Sequence, residues 1–193
     1  MGTSSTPEPK WSLVEKDGAI EIRDYAPMIV AEATTTGERY EAINAGFRIL
    51  AGYIFGGNTA QTKIAMTAPV IQEAGDAKGE KIPMTAPVTQ EASGNPDEWK
   101  VRFVMPPDYT LASLPVPNDA RVQFHEIPAY RAAAIRFAGF NSDSNLNSHR
   151  AELQAWLDKN NRKSLGKPTY AFYNPPWTLP LFRRNEVIIK VAE

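Results

Sequence analysis

Hydrophobic residues in this chain follow two periods. Tyr40, Ile43, Phe47, Leu50 and Ile54 recur every three or four positions, the spacing of an apolar stripe on a helix. Thr35, followed three residues later by Glu38, forms a capping box. Gly56-Gly57 supplies the left-handed conformation that ends a helix. These signals predict a helix over 38–55. A second helix is predicted over 146–160, with Leu146, Leu153 and Leu157 on one face and Ser144 as its N-cap. Elsewhere the pattern alternates. Trp99, Val101, Phe103 and Met105 oppose Lys100 and Arg102, and Val187, Ile189 and Val191 oppose Lys190. That is the period of a sheet with one covered face. Pro106-Pro107 closes the first of these strands, and 75–80 and 93–97 carry turn chemistry.

The chain also repeats itself. Lys63-Ile64-Ala65-Met66-Thr67-Ala68-Pro69-Val70 returns eighteen residues later as Lys81-Ile82-Pro83-Met84-Thr85-Ala86-Pro87-Val88. Two copies are too few for a solenoid. One copy reads as the ordinary element and the other as an insertion, and the sequence leaves open which is which. A weaker echo sets Glu21-Ile22-Arg23-Asp24-Tyr25 against Glu126-Ile127-Pro128-Ala129-Tyr130, 105 residues on. Each echo is followed by an apolar stretch, a helix and further strands. The order strand, strand, helix, strand, strand occurs twice, which predicts an α+β fold of two related halves.

With 193 residues, 42% apolar and 22% charged, the chain suits one medium domain. We expect a flexible leader over 1–10 and a single domain over 11–193. The leader has no apolar core of a secretory signal, which favours the cytoplasm if that terminus is native. No stretch approaches the ~20 apolar residues of a membrane helix. A formal net charge of −1 lacks the basic excess of a nucleic-acid binder. The absence of cysteine excludes disulfides, iron–sulfur clusters, thiolate haem ligation and a cysteine nucleophile. No nucleophile elbow, phosphate loop, dinucleotide fingerprint or His-Glu-x-x-His zinc motif occurs. Glu126, Glu186, Tyr130 and Tyr173 offer acid–base chemistry only if folding brings them together.

The twin Ile-x-Met-Thr-Ala-Pro-Val segments, the stretch Tyr173-Asn174-Pro175-Pro176-Trp177 followed by Arg183-Arg184-Asn185-Glu186-Val187, and the opening Glu21-Ile22-Arg23-Asp24-Tyr25 together resemble the SOUL haem-binding protein family. The resemblance runs over 11–191. It implies a distorted antiparallel β-barrel flanked by two α-helices, a size that can hold one small ligand. It also implies non-catalytic binding of haem or metal-free porphyrin, as a carrier or buffer. A module for another apolar small molecule and a protein-interaction scaffold are the alternatives, and a protein partner is not specified. The implied fold is also similar to effector-binding domains of bacterial multidrug regulators, some relatives of which look hydrolytic. Some animal members carry a histidine, proposed as the axial ligand, where this chain has Asp24. Others carry basic residues where it has Asn44 and Gly52.

A tetrapyrrole needs an apolar slot, a cation near its carboxylates and, optionally, a ligand for iron. Ile43, Phe47 and Leu50 offer a slot from the first helix, though every amphipathic helix core has this stripe. Met66 and Met84 could pack on the disc, since methionine adapts to irregular shapes. The proline-stiffened loop 173–181 offers Tyr173 and Trp177 as a rim. Arg48, with Arg183 and Arg184, could meet the carboxylates. His149 and His125 are the two imidazoles available to iron, and their separation gives no zinc-ligand spacing. The bland reading of His149 is a structural residue on a helix face.

Overall fold

The computed structural model describes residues 7–60, 79–175 and 177–192. Along the chain run β1 (Trp11–Asp17), β2 (Ile20–Tyr25), β3 (Met28–Thr36), α1 (Arg39–Ile54), β4 (Asn58–Thr59), β5 (Val88–Ala92), β6 (Glu98–Val104) and β7 (Val116–Pro117). They are followed by β8 (Gln123–Ile127), β9 (Tyr130–Phe137), α2 (Asp143–Lys159), β10 (Ser164–Phe172), a 3-10 turn (Pro180–Phe182) and β11 (Asn185–Val191). Nine strands form one sheet in the order β1-β2-β9-β11-β10-β5-β6-β3-β8, every pairing antiparallel. The short β4 and β7 pair separately.

Setting β1 aside, this order reads the same from either end when β2, β3, β5 and β6 are matched to β8, β9, β10 and β11. The predicted two halves are therefore real, and they exchange their first strands. β2 pairs with β9 of the second half, and β8 pairs with β3 of the first. The five-letter echo lies three residues out of register. Tyr25 and Met28 flank one connection, Ile127 and Tyr130 the other, 102 residues on.

Those connections curl the sheet. Only Ala26-Pro27 separates β2 from β3, which are second and eighth in the sheet. Three Cα steps span at most ~11 Å, whereas six strand intervals of a flat sheet measure ~29 Å. Pro128-Ala129 joins β8 to β9, ninth and third, under the same constraint. No ladder joins β1 to β8 among the described residues. The expected distorted barrel is thus, among the described residues, an open sheet with two edges, curled by its own connections.

Both helices cover the outer face. α1 lies on β3 and β6, and α2 on β9, β10 and β11. Gly46 allows the first contact, since an added Cβ would stand 2.5 Å from Val101 Cγ2. Gly56, at φ 113°, ends α1 as expected. The capping box does not form. Glu38 is the N-cap without a side-chain bond, and Thr35 Oγ1 donates instead to the Ala42 carbonyl. α2 is capped by Ser142 rather than Ser144, its side chain accepting from the Asn145 N–H. The helix N-termini meet over β5, where Arg39 bonds Asp143 and the Asn141 carbonyl while Gln90 Nε2 donates to the Arg39 carbonyl at 2.8 Å.

The inner face has no helix over it, yet Ala132, Ala134 and Ala171 are fully buried there. The curl buries them. Their small side chains leave room for Tyr25, Tyr130 and Tyr173, with Trp11, Met28 and Ile188. Residues 7–10 lie against this body, with the Ala86 N–H bonded to the Pro7 carbonyl and the Ala26 N–H to that of Lys10.

Candidate functional site

Arginine and glutamate fill the middle of the inner face. Glu186 on β11 is 0% exposed, yet no proton donor it needs is missing. Arg23 on β2 grips both its oxygens at 2.8 and 3.1 Å, Tyr173 Oη donates at 2.8 Å and Arg184 Nε at 3.0 Å. Arg23 also bonds Glu21 at 2.9 Å and Tyr25 Oη at 3.1 Å, and its guanidinium lies 4.3 Å from the Trp11 ring centre. Arg184 stacks 3.7 Å over the Tyr173 ring and bonds Glu8. Among the described residues, no buried side-chain N or O lacks a partner.

This network fixes its own protons. Burial alone would raise the Glu186 pKa, but bonds and charge from Arg23 and Arg184, with the Tyr173 bond, hold it below the ordinary carboxylate range. Burial, and then the Glu186 charge, push Tyr173 well above the ordinary phenol value. Of the four acid–base candidates, Glu186 and Tyr173 converge, but neither changes protonation near neutral pH, and Glu186 is fully buried while Tyr173 is partly so. Glu126 is exposed on β8. Tyr130 stacks on Tyr25 at 4.9 Å. The interior that resemblance offered to a ligand is occupied by the chain's own side chains.

The rim of the curl is different. A cleft of about 680 Å³ opens where the two exchanging connections meet the end of β6. Met28, Ile29, Val104, Met105 and Ile127 give it apolar walls. Pro27, Pro106, Pro107 and Pro128 stiffen its edges, since a proline has few conformations to lose. The Met105 N–H bonds the Ile29 carbonyl at 2.8 Å, which ties two of its walls together. Lys10, Glu126 and Tyr109 stand at the mouth. Tyr109 Oη donates to Glu80 at 2.7 Å, and that bond, with partial burial, pushes its pKa up to about 12. The volume and apolar lining match small-molecule sites in general.

The residues predicted from sequence fall elsewhere. Ile43 and Leu50 are buried between α1 and the sheet and belong to the core. Phe47 is 36% exposed and tilts against Phe103, ring centres 5.5 Å apart. Arg48 is exposed on α1. Met84 is part-exposed, and its copy of the repeat leads into β5. Met66 lies outside the described residues. Tyr173 belongs to the buried network, and Trp177 projects into solvent. His149 stacks on Phe137 at 3.9 Å, its Nδ1 2.8 Å from the Asn145 carbonyl. His125 sits on edge strand β8, its Nε2 3.6 Å from Glu32. The structure brings neither histidine to the cleft nor to the other. Asp24 is held by a two-pronged bond from Arg131 at 2.7 and 2.8 Å. Among the described residues no cluster of three His, Asp or Glu is arranged to hold a metal ion, and no helix is long and apolar enough to cross a membrane.

Sequence reasoning missed the cleft's walls because they lie at strand ends, 27–29, 104–107 and 126–129, far apart along the chain. One signal was present: each half joins its first two strands through a two-residue link containing proline.

A family model described as SOUL heme-binding protein matches residues 6–78 and again 71–190, each match containing one copy of the Met-Thr-Ala-Pro-Val segment. Heme-binding protein 1 of Xenopus laevis is 27% identical over 175 residues, covering 90% of this chain and 84% of that protein. Among solved structures, the EcmrR C-terminal domain aligns with a TM-score of 0.60 at 14% identity, over 90% of this chain and 97% of its own. A hydrolase from Listeria innocua aligns with a TM-score of 0.55 at 14% identity, over 90% and 91%. At such identities the two structures share the fold alone.

Proposed function

The chain belongs to the SOUL haem-binding protein family, and on that premise we propose that it binds a tetrapyrrole reversibly in the rim cleft, as a carrier or buffer without catalysis. The observation that carries this reading is the contrast between a filled interior and an apolar, proline-stiffened cleft of about 680 Å³. The cleft's chemistry suits the ligand. Met28, Ile29, Val104 and Ile127 face a flat apolar disc, and Lys10 offers a cation to its carboxylates. Thioethers are among the protein groups that hold haem iron, and Met28 and Met105 bring two of them to the cleft. The Tyr109 phenol, with its proton held to about pH 12 by Glu80, is a poor iron ligand by comparison. Apolar contact carries most of the binding, so metal-free porphyrin binds as well.

A haemin titration followed by absorbance tests the reading. A Soret shift that saturates near one ligand per chain is expected, and protoporphyrin competes for the same site. A broad shift that never saturates would overturn it.

A further inference from the structure

We propose that the loop edge formed by 139–140 and 177–183 docks the protein on an anionic lipid surface. Five large apolar side chains project there: Phe140, Trp177, Leu179, Leu181 and Phe182, each between 63 and 83% exposed. Scattered single apolar residues on a surface are ordinary, but five on two loops joined by a backbone bond mark a contact surface. This one is held rigidly. The Gly139 N–H bonds the Pro180 carbonyl at 2.9 Å, the Phe182 N–H that of Leu179 at 2.9 Å, and Arg183 Nε the Thr178 carbonyl at 2.8 Å. Asn185 Nδ2 anchors the Gly139 carbonyl at 3.0 Å, and the Arg183 guanidinium lies 5.7 Å from the Phe140 ring centre. A fixed backbone that points apolar groups outward has already met the ordering cost of docking.

Charge selects the occupant. A groove of about 520 Å³ beside Leu181 and Phe182 is lined by Lys16, Arg136 and Arg183. Its one carboxylate, Glu21, is bonded to both Lys16 and Arg23. The nearby Asp143 is paired with Arg39. The whole chain carries a net charge of −1, so this basic groove is a local feature. Apolar and tryptophan side chains beside basic ones fit the headgroup boundary of an anionic bilayer. A second copy meeting this edge face to face would oppose its own basic groove. The edge lies at the far end of β9 from the rim cleft, so docking leaves the cleft uncovered.

Vesicle co-sedimentation of the full chain tests this. Binding to phosphatidylcholine vesicles containing phosphatidylserine is expected to exceed binding to pure phosphatidylcholine several-fold, and to fall as salt rises. Leu181→Asp with Phe182→Asp abolishes it. Both positions are exposed, so thermal melting of that variant stays near wild type. Arg136→Gln weakens anionic binding about fivefold, the share of one basic residue at such a surface. Absence of binding to the anionic vesicles overturns the proposal. So does wild-type binding by the Leu181/Phe182 variant. A wild-type dimer in sedimentation velocity that the same variant dissociates would assign the edge to a second copy, again overturning it. Haemin titration is read separately, so neither result stands in for the other.

Discussion

The interior of the curled sheet and its rim belong to one sheet, and they do opposite things. Inside, Ala132, Ala134 and Ala171 admit three tyrosines, Trp11 and an Arg23–Glu186 pair, with no buried side-chain polar atom among the described residues left unpaired. At the rim, the ends of β3, β6, β8 and β9 bring Met28, Met105, Ile127 and Pro128 around open space. The difference teaches where a curled sheet of this kind can acquire a ligand. A packed interior cannot be emptied without exposing paired charges, whereas a rim whose walls are set by short proline links already has its shape.

The widest separation between the two regions comes from Glu186→Gln. It removes the buried carboxylate that Arg23 and Arg184 share and leaves Arg23 only Glu21 as a charge partner, a loss of about 3 kcal/mol in urea unfolding. The haemin affinity of the protein that remains folded changes far less, because Glu186 does not line the cleft and reaches it only through Arg184 and Glu8.

Acid addresses the same network. Glu186 has a folded pKa below its ordinary value of 4.5, so its contribution is complete above that pH and is lost as pH falls through the lowered value. Wild type loses up to about 1.4 kcal/mol per pH unit from this group in that window. Denaturant melts from pH 6 down to pH 3 should show this component in wild type and not in Glu186→Gln.

The rim responds in reverse. Ile127→Asp puts a carboxylate on the cleft wall and weakens haemin at least about tenfold, or ~1.4 kcal/mol. Ile127 is half-buried on edge strand β8, so unfolding shifts by no more than about 1.5 kcal/mol. Smallest of all is Lys10→Glu, where one exposed ion pair at the mouth accounts for about two- to fivefold in affinity, read by the same titration and diminishing as salt is added.

Much of the fold was legible. The 3.6-residue stripe located α1, the alternation located β6 and β11, and the repeated order of elements revealed two halves. Exchange of β2 and β8 between halves was not legible, because it depends on pairing between residues as far apart as Tyr25 and Tyr130, 105 positions. The echo of five letters misled by three residues, since Tyr130 matched Tyr25 by letter while matching Met28 by place. For the site, the apolar stripe of α1 was read correctly as apolar, but one helix cannot say which of its residues face a ligand. Ile43 and Leu50 face β-strands, and Phe47 lies at their edge. The cleft's walls come from three strand ends that only the curl brings together.

Parallel haemin titrations of Ile127→Asp and Phe47→Asp test the central claim, that the ligand occupies the rim of the curl. The account predicts that Ile127→Asp loses the saturable Soret shift at ligand concentrations that saturate wild type, while Phe47→Asp keeps it. Loss in Phe47→Asp with wild-type binding by Ile127→Asp would contradict it and move the site to the outer face of α1.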